Sequence, residues 1–171
     1  MDSGAKNTGS ITDEEVSVIR DTWKPVYEVK EDAGVAVLVR FFTNTPSAKQ
    51  YFDQIREIQD PEEMRKNAQL RKNAINIMSG LNKLVENLHD GDKVKNIFNQ
   101  LGETHALKYK VDPSYFKIVT KVILEVLVET FPKVFSAASV QGVWSKLMSI
   151  TCVELNKVYT TVGWDSIKNS T

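Results

Sequence analysis

The stretch NAQLRKNAINIMSGLNKLVENLHDGDKVKNIFNQLGETHALKY, residues 67–109, carries two helical patterns separated by a short break. Apolar side chains recur every three or four residues on both sides of the break, which is the spacing of one face of an α-helix. The break itself, HDGD at residues 89–92, is typical of a turn that ends one helix and caps the next. The stretch therefore predicts a hairpin of two amphipathic helices, with apolar positions at Leu70, Ala74, Ile77, Met78, Leu81, Leu84, Val85, Leu88, Val94, Phe98 and Leu101.

Each predicted helix carries one polar side chain on its apolar face. Asn73 lies three residues after Leu70 and four before Ile77, and His105 lies one turn beyond Leu101. The two residues are at similar distances from the break, so a hairpin would bring them opposite each other. Burying an amide or an imidazole without a partner costs about 1–3 kcal/mol. Each of them therefore needs something to bind.

The rest of the chain also has the punctuation of helices and no long alternating strand pattern. Only eight glycines and five prolines occur in 171 residues, and no repeat period is visible. We expect an all-α domain of seven to eight helices. One helix is predicted at about 32–43, and further starts are predicted at the capping box Thr12/Glu15, at Thr45-Pro46, at Asp60-Pro61 with Glu63, at Asp112-Pro113 and at Ser136 or Ser139, the last helix ending at Gly163.

Composition limits the classes of protein that this chain can be. Hydrophobic residues make up 42% of it, and 22 basic residues balance 22 acidic ones. One core fits this length, and the balanced charge argues against nucleic acid or an anionic membrane as the main partner. No apolar run is long enough to span a membrane, and residues 1–10 lack the core of a signal peptide, which predicts a cytoplasmic protein. We expect flexible tails at 1–11 and 164–171 around one domain at 12–163.

The counts of histidine and cysteine restrict any metal site. With two histidines and one cysteine, Cys152, the chain cannot build a Cys/His zinc site or an internal disulfide. His105 has two readings: a core histidine bonded to the carbonyl of Leu101, or a metal ligand whose tautomer that bond fixes. A catalytic dyad is less favoured, and His89 beside Asp90 is typical of a charge at a helix end.

An iron porphyrin would resolve the shortage of ligands, because the macrocycle supplies four nitrogens and the protein needs to supply only one. Its pocket would have to be largely aromatic and aliphatic. Each candidate is by itself equally typical of plain core, so only the set as a whole favours a cofactor. The candidates are Leu38, Phe41, Phe42, Phe52, Ile77, Leu101, Val111, Phe116 and Val119.

Several runs of the sequence resemble the vertebrate globins, and among them the cytoglobins. They are VAVLVRFFTNTPSAKQYF at 35–52, LVENLHDGDKV at 84–94, HALKYKVDPSYFKIV at 105–119 and the terminal VGW at 162–164. The resemblance covers residues 11–164. It implies the globin fold, with the helices arranged around haem b, iron protoporphyrin IX.

The resemblance also implies roles for individual residues. His105 is similar to the proximal iron ligand, and Phe52 to the phenylalanine that stacks on the haem. Asn73 stands where most globins have a distal histidine, which implies a five-coordinate ferrous iron and a weak hydrogen-bond donor on the distal side. The other implied positions are Leu38 and Ile77 as distal walls, Leu101, Val111, Phe116 and Val119 as proximal contacts, and Gln54, Arg71, Lys72 and Tyr109 near the propionates.

The cysteine pair that cytoglobins can oxidise would fall at Lys30 and Ile75, so thiol control of ligand affinity is not expected. Cys152 is then expected to pack as a small hydrophobe.

The function that the resemblance implies is reversible binding of dioxygen, and also of nitric oxide and carbon monoxide, for storage, transport or sensing. The alternative is a redox haem enzyme, either a nitric oxide dioxygenase that makes nitrate or one with peroxidase-like side activity. Since no flavin or nicotinamide domain is recognisable, an external reductase would have to restore the ferrous state. A haem-free helical interaction domain is the third hypothesis, and a homodimer is compatible with the neutral net charge.

Overall fold

The computed structural model describes residues 10–169, and most of these are helical, with no strand among them. The all-α prediction is confirmed. Very short segments raise the number of α-helices in this range above the seven or eight that were expected. They are α1 (Asp13–Glu28), α2 (Lys30–Asn44), α3 (Pro61–Lys66), α4 (Ala68–Glu86), α5 (Gly91–Glu103), α6 (Ser114–Thr130), α7 (Pro132–Phe135), α8 (Ala138–Thr161) and α9 (Trp164–Ile167), with a 3₁₀ helix at Pro46–Tyr51 and a π-helix at Thr104–Lys108.

The first helix begins at the predicted capping box. The N–H of Glu15 donates to the hydroxyl of Thr12 at 3.1 Å, and the N–H of Thr12 donates to the Glu15 carboxylate at 2.9 Å. The helix continues through Pro25 to Glu28 and buries Trp23 in the core. The cap predicted at Asp60 is also confirmed, since its side chain accepts a hydrogen bond from the N–H of Glu62.

The start of α8 corrects the sequence prediction. Its N-cap is Ala137, which has extended backbone and no side-chain hydrogen bond, and neither Ser136 nor Ser139 caps the helix. The start is set by contacts across the junction of α7 and α8, because Gln141 donates to the carbonyl of Phe135 at 2.8 Å and Phe135 packs against Trp144.

The C-terminal end of α8 is as predicted, but the chain does not become irregular there. Gly163 ends the helix with φ at 76°, in the left-handed region that favours glycine. The predicted C-terminal tail 164–171 begins with α9. The predicted tail at 1–11 lies almost wholly outside the described residues.

Two close helix contacts locate α4 and α5. A Cβ on Gly34 of α2 would lie 2.6 Å from the carbonyl oxygen of Ala74 on α4, and a Cβ on Gly102 of α5 would lie 2.7 Å from Val158 Cγ1 on α8. Gly34 therefore lets the backbone of α2 approach the backbone of α4. Gly102 lets the backbone of α5 approach the side chain of Val158 on α8. Of the helices in residues 10–169, none has both the length and the apolar character needed to cross a membrane.

Candidate functional site

The helix α5 changes to a π-helix at the residue before His105. Over Thr104–Lys108 the turn widens, and the N–H of Tyr109 donates to the carbonyl of Thr104, five residues back, at 3.2 Å. The sequence predicts the second helix of the hairpin to run from about Asp92 to Tyr109. In the structure this range is divided into two segments, α5 and the π-helix. Single π-turns inside helices occur frequently at functional sites, because the extra residue re-aims a side chain.

The imidazole of His105 is half-buried, with one nitrogen bonded and the other left over. Nδ1 lies 2.8 Å from the carbonyl oxygen of Leu101, as the sequence predicted. A carbonyl can only accept, so Nδ1 carries the proton and Nε2 keeps its lone pair. Burial lowers the pKa of His105 below its usual value near 6.5, against a smaller opposing effect of the Leu101 carbonyl, and the ring is neutral at pH 7. Within residues 10–169, Nε2 has no hydrogen-bond partner.

The segment after the π-helix is held by two hydrogen bonds at Val111. The N–H of Val111 donates to the carbonyl of His105 at 2.8 Å, and the Val111 carbonyl accepts from the Tyr159 hydroxyl at 2.6 Å. Lys110, the residue before Val111, has φ at 53°. This left-handed conformation costs a residue with a Cβ roughly 1–2 kcal/mol. Burial raises the pKa of Tyr159 beyond its ordinary range, so its hydroxyl remains a donor.

Aromatic rings fix the orientation of the His105 ring. Phe116 lies 5.4 Å from it between centroids, and Tyr109 lies 5.9 Å away, both edge to face. Phe116 is buried, and its other edge meets Tyr159 at 5.7 Å. The imidazole is thus packed between one buried and one exposed ring.

On α4, Asn73 is half-buried, and its neighbour one turn back is another amide. Gln69 Nε2 donates to Asn73 Oδ1 at 3.5 Å. With Oδ1 occupied in this way, Nδ2 is the branch of the carboxamide left to donate to a ligand. The helix that carries Asn73 begins at Asn67, whose side chain accepts from the N–H of Leu70 at 2.9 Å.

The predicted pocket residues fall into three groups by exposure. Two apolar side chains next to the imidazole are exposed, Leu101 by 38% and Tyr109 by 51%. Such apolar surface beside an unpartnered nitrogen is the environment that a flat apolar ligand would cover. The buried members are Leu38, Phe41, Phe42 and Phe116, and the half-buried ones are Phe52, Ile77, Val111 and Val119.

The donor set around His105 suits haem. In the described part of the chain, no three His, Cys, Asp or Glu side chains cluster as an ion's ligands. His105 offers one neutral imidazole nitrogen among apolar neighbours, and a porphyrin needs one such ligand from the protein. The residues present therefore fit haem.

The predicted propionate contacts are only partly free for that role. Arg71 donates to Glu31 at 2.6 Å, to Asp32 at 3.1 Å and to the carbonyl of Arg65 at 2.6 Å, so its donors hold α4 to α2 and α3. Gln54, Lys72 and Tyr109 are exposed.

A separate polar recess of about 420 Å³ opens between α4 and α5. Lys83 and Asn87 line it from the α4 side, and Ile97 and Gln100 are among its lining residues on α5; neither Asn73 nor His105 lines it.

Sequence reasoning missed Gln69 and Tyr159 as neighbours of the site. Gln69 stands four residues before Asn73, which is one helical turn, so the spacing could have indicated it. Tyr159 has no such local signal, because its partner Val111 is 48 residues away.

Comparison with known proteins identifies the family that the chain matches. Residues 35–155 match the family profile described as Globin. Cytoglobin-1 of Danio rerio is 61% identical over 159 residues, covering 93% of this chain and 91% of that protein. Cytoglobin-1 of Oryzias latipes is 48% identical over 94% of this chain and 90% of its own. Globin-1 of Petromyzon marinus is 30% identical over 93% and 98%.

Proposed function

The chain belongs to the globin family and resembles the cytoglobins within it, and from this premise we propose that it binds haem through His105 and dioxygen beside Asn73. Globins bind haem and, through it, dioxygen; for this chain the individual residues, the type of haem and the other gases are proposals. The observation that carries the proposal is the neutral imidazole of His105, whose Nδ1 is bonded to Leu101 and whose Nε2 is left for iron.

When bound, the haem supplies an iron atom that can take up and release a diatomic gas. The residues of the chain do the rest. The Leu101 carbonyl holds the tautomer of His105, and Phe116 holds the ring. Half-buried Phe52 and Ile77 would keep water from the gas and slow oxidation of the iron.

Asn73 would act as a weak donor to the bound gas. Its carboxamide is a poor iron ligand, unlike the imidazole that most globins have at this position, and we propose that it leaves the distal position of ferrous iron open. The contact with Gln69 supports this role, because it occupies the oxygen of the amide and leaves the nitrogen.

The cysteine count supports a haem that is not attached covalently. Haem of type c is attached through a Cys-x-x-Cys-His motif, and this chain has a single cysteine, Cys152. That cysteine is half-buried on α8, with Sγ 3.4 Å from Thr120 Oγ1. We therefore propose non-covalently bound haem b.

Several other predictions from the sequence remain proposals. Binding of nitric oxide and carbon monoxide, a cytoplasmic location and a homodimer are each compatible with the chain. The nitric oxide dioxygenase alternative requires an external reductase and is separated from gas storage by steady consumption of nitric oxide.

The test compares the two histidines. Purified wild-type protein is expected to show a strong Soret band, His105→Ala to lose it, and His89→Ala to keep it. His89 is a matched control because it is the other histidine, exposed and in contact with Arg20 at 3.0 Å. His105→Gly supplied with free imidazole should recover part of the band, since the small ligand replaces the missing side chain. Full haem occupancy with normal spectra in His105→Ala would overturn the assignment, and the absence of haem from the wild type would leave the helical interaction domain.

A further inference from the structure

The short helix after α8 packs against the segment that carries His105. Gly163 turns the chain, and the N–H groups of Ser166 and Ile167 donate to its carbonyl at 3.0 and 3.1 Å. The resulting turn, α9, contacts both α8 and the π-helix. The residues of α9 thus lie beside the π-helix that carries His105.

Trp164, the first residue of α9, covers Tyr159. Their ring centroids are 5.1 Å apart at an angle of 61°, and Trp164 is itself half-buried. Tyr159 is only 2% exposed and Val111 is half-buried, so the access of water to the hydrogen bond between them is restricted. A hydrogen bond between protein groups is stronger when water cannot compete for the donor.

Tyr159 reaches His105 by two independent routes. Through the backbone, Tyr159 binds the carbonyl of Val111, whose N–H binds the carbonyl of His105. Through the side chains, Tyr159 meets Phe116 at 5.7 Å, and Phe116 meets the imidazole at 5.4 Å. If Tyr159 becomes more mobile, the turn that follows His105 therefore becomes more mobile as well. The orientation of the imidazole ring of His105 becomes less fixed for the same reason.

We propose that Trp164 is a positioning residue for the proximal histidine, because it shields the Tyr159–Val111 hydrogen bond that holds the turn after His105. The inference rests on the proposed function, since it takes His105 as the iron ligand. It assigns a function-related role to residues that the sequence predicts to be a tail.

The test uses the full-length, haem-loaded chain and three variants: Trp164→Ala, Trp164→Phe and Ser166→Ala. In Trp164→Ala the rate of haem loss to an excess of acceptor apoprotein should rise roughly 2- to 10-fold, the range that corresponds to the loss of one ordinary hydrogen bond. The iron–histidine stretching band of the ferrous protein should shift or broaden. Amide exchange at Val111 should accelerate by a similar factor. Trp164→Phe, which keeps a ring over Tyr159, and Ser166→Ala, a change in the same turn, should resemble the wild type.

The three readouts separate a positioning role from a structural one. A lower stability of the whole fold would speed exchange everywhere but would not shift the iron–histidine band. Unchanged haem loss, band and Val111 exchange in a folded Trp164→Ala would overturn the inference. If Trp164→Ala loses amide protection throughout the chain, Trp164→Leu, which keeps apolar bulk, takes its place in the same comparison. If the wild type holds no haem, the proposed function fails, and Val111 exchange still decides whether Trp164 holds the turn.

Discussion

Gly34 on α2 lies against the backbone of Ala74 on α4, so closely that a Cβ at position 34 would be 2.6 Å from the Ala74 carbonyl oxygen and 2.9 Å from Met78 Cγ. Ala74 directly follows Asn73. The contact therefore fixes how deeply the helix that carries the distal amide sits in the core.

Gly34→Ala should push α2 and α4 apart. Backbone cannot move aside as a flexible side chain can, so we expect a loss of about 1–3 kcal/mol in the free energy of unfolding, measured by urea denaturation. Gly80→Ala on α4 is the matched control, because a Cβ there meets no atom within 4 Å. It should raise stability by about 0.5–1 kcal/mol, since alanine favours the helix. Similar losses in both variants would contradict the close-contact explanation.

Thr22→Val should leave the indole of Trp144 without its partner. Trp144 is fully buried, and its Nε1–H donates to Thr22 Oγ1 at 2.8 Å. An unsatisfied buried donor costs about 1–3 kcal/mol, and valine has nearly the same shape as threonine. Thr151→Val on α8 is the control, because within residues 10–169 the buried hydroxyl of Thr151 bonds only the Leu147 carbonyl of its own helix. Equal unfolding free energies for the two variants would show that the indole bond contributes nothing.

The ion pair between Glu15 and Lys146 should make stability depend on pH in the acid range. The two side chains are 2.8 Å apart and join α1 to α8. The hydrogen bond from Lys146, followed by that from the Thr12 N–H, lowers the pKa of Glu15. A carboxyl whose pKa is lower in the folded than in the unfolded chain adds stability that is fully present above its unfolded value, about 4.3, and is lost as pH falls through the folded value.

We therefore expect Glu15→Gln to be less stable than the wild type at neutral pH and equally stable in strong acid. Glutamine can keep the capping box, so the variant removes mainly the charge. Glu14→Gln, an exposed carboxylate on the same turn, is the control and should follow the wild type. Urea denaturation at a series of pH values measures the effect, and a gap between wild type and Glu15→Gln that persists in strong acid would contradict the charge-pair explanation.

What the sequence predicts well is what depends on neighbouring residues. The capping box at Thr12, the proline start after Asp60 and the bond from His105 to the carbonyl of Leu101 each join residues within one helical turn. All three are present in the structure.

What the sequence does not predict depends on how side chains pack in three dimensions, which no local pattern indicates. The π-turn at His105 is a departure from regular helix, and the segment after it is held by Tyr159, which is 48 residues from Val111. Ser136 and Ser139 both look like caps, yet packing of Phe135 places the helix start at Ala137. Trp164 follows a glycine that ends a helix, and no pattern in its neighbourhood indicates that it covers Tyr159.

Asn73 offers the sharpest test of the distal side. In the deoxygenated ferrous protein, the wild type should give the broad visible spectrum of five-coordinate high-spin haem, because a carboxamide is a poor iron ligand. Asn73→His should give the sharp paired bands of a six-coordinate low-spin haem if an imidazole at this place reaches the iron. Asn73→Leu should stay five-coordinate but release dioxygen roughly 2- to 10-fold faster, the effect of losing one hydrogen-bond donor. Asn76→Leu, which changes an exposed amide one turn further along α4, should leave the spectrum and the release rate unchanged. Paired bands in the wild type would refute the open distal position, and equal release from wild type and Asn73→Leu would show that the amide does not contact the gas.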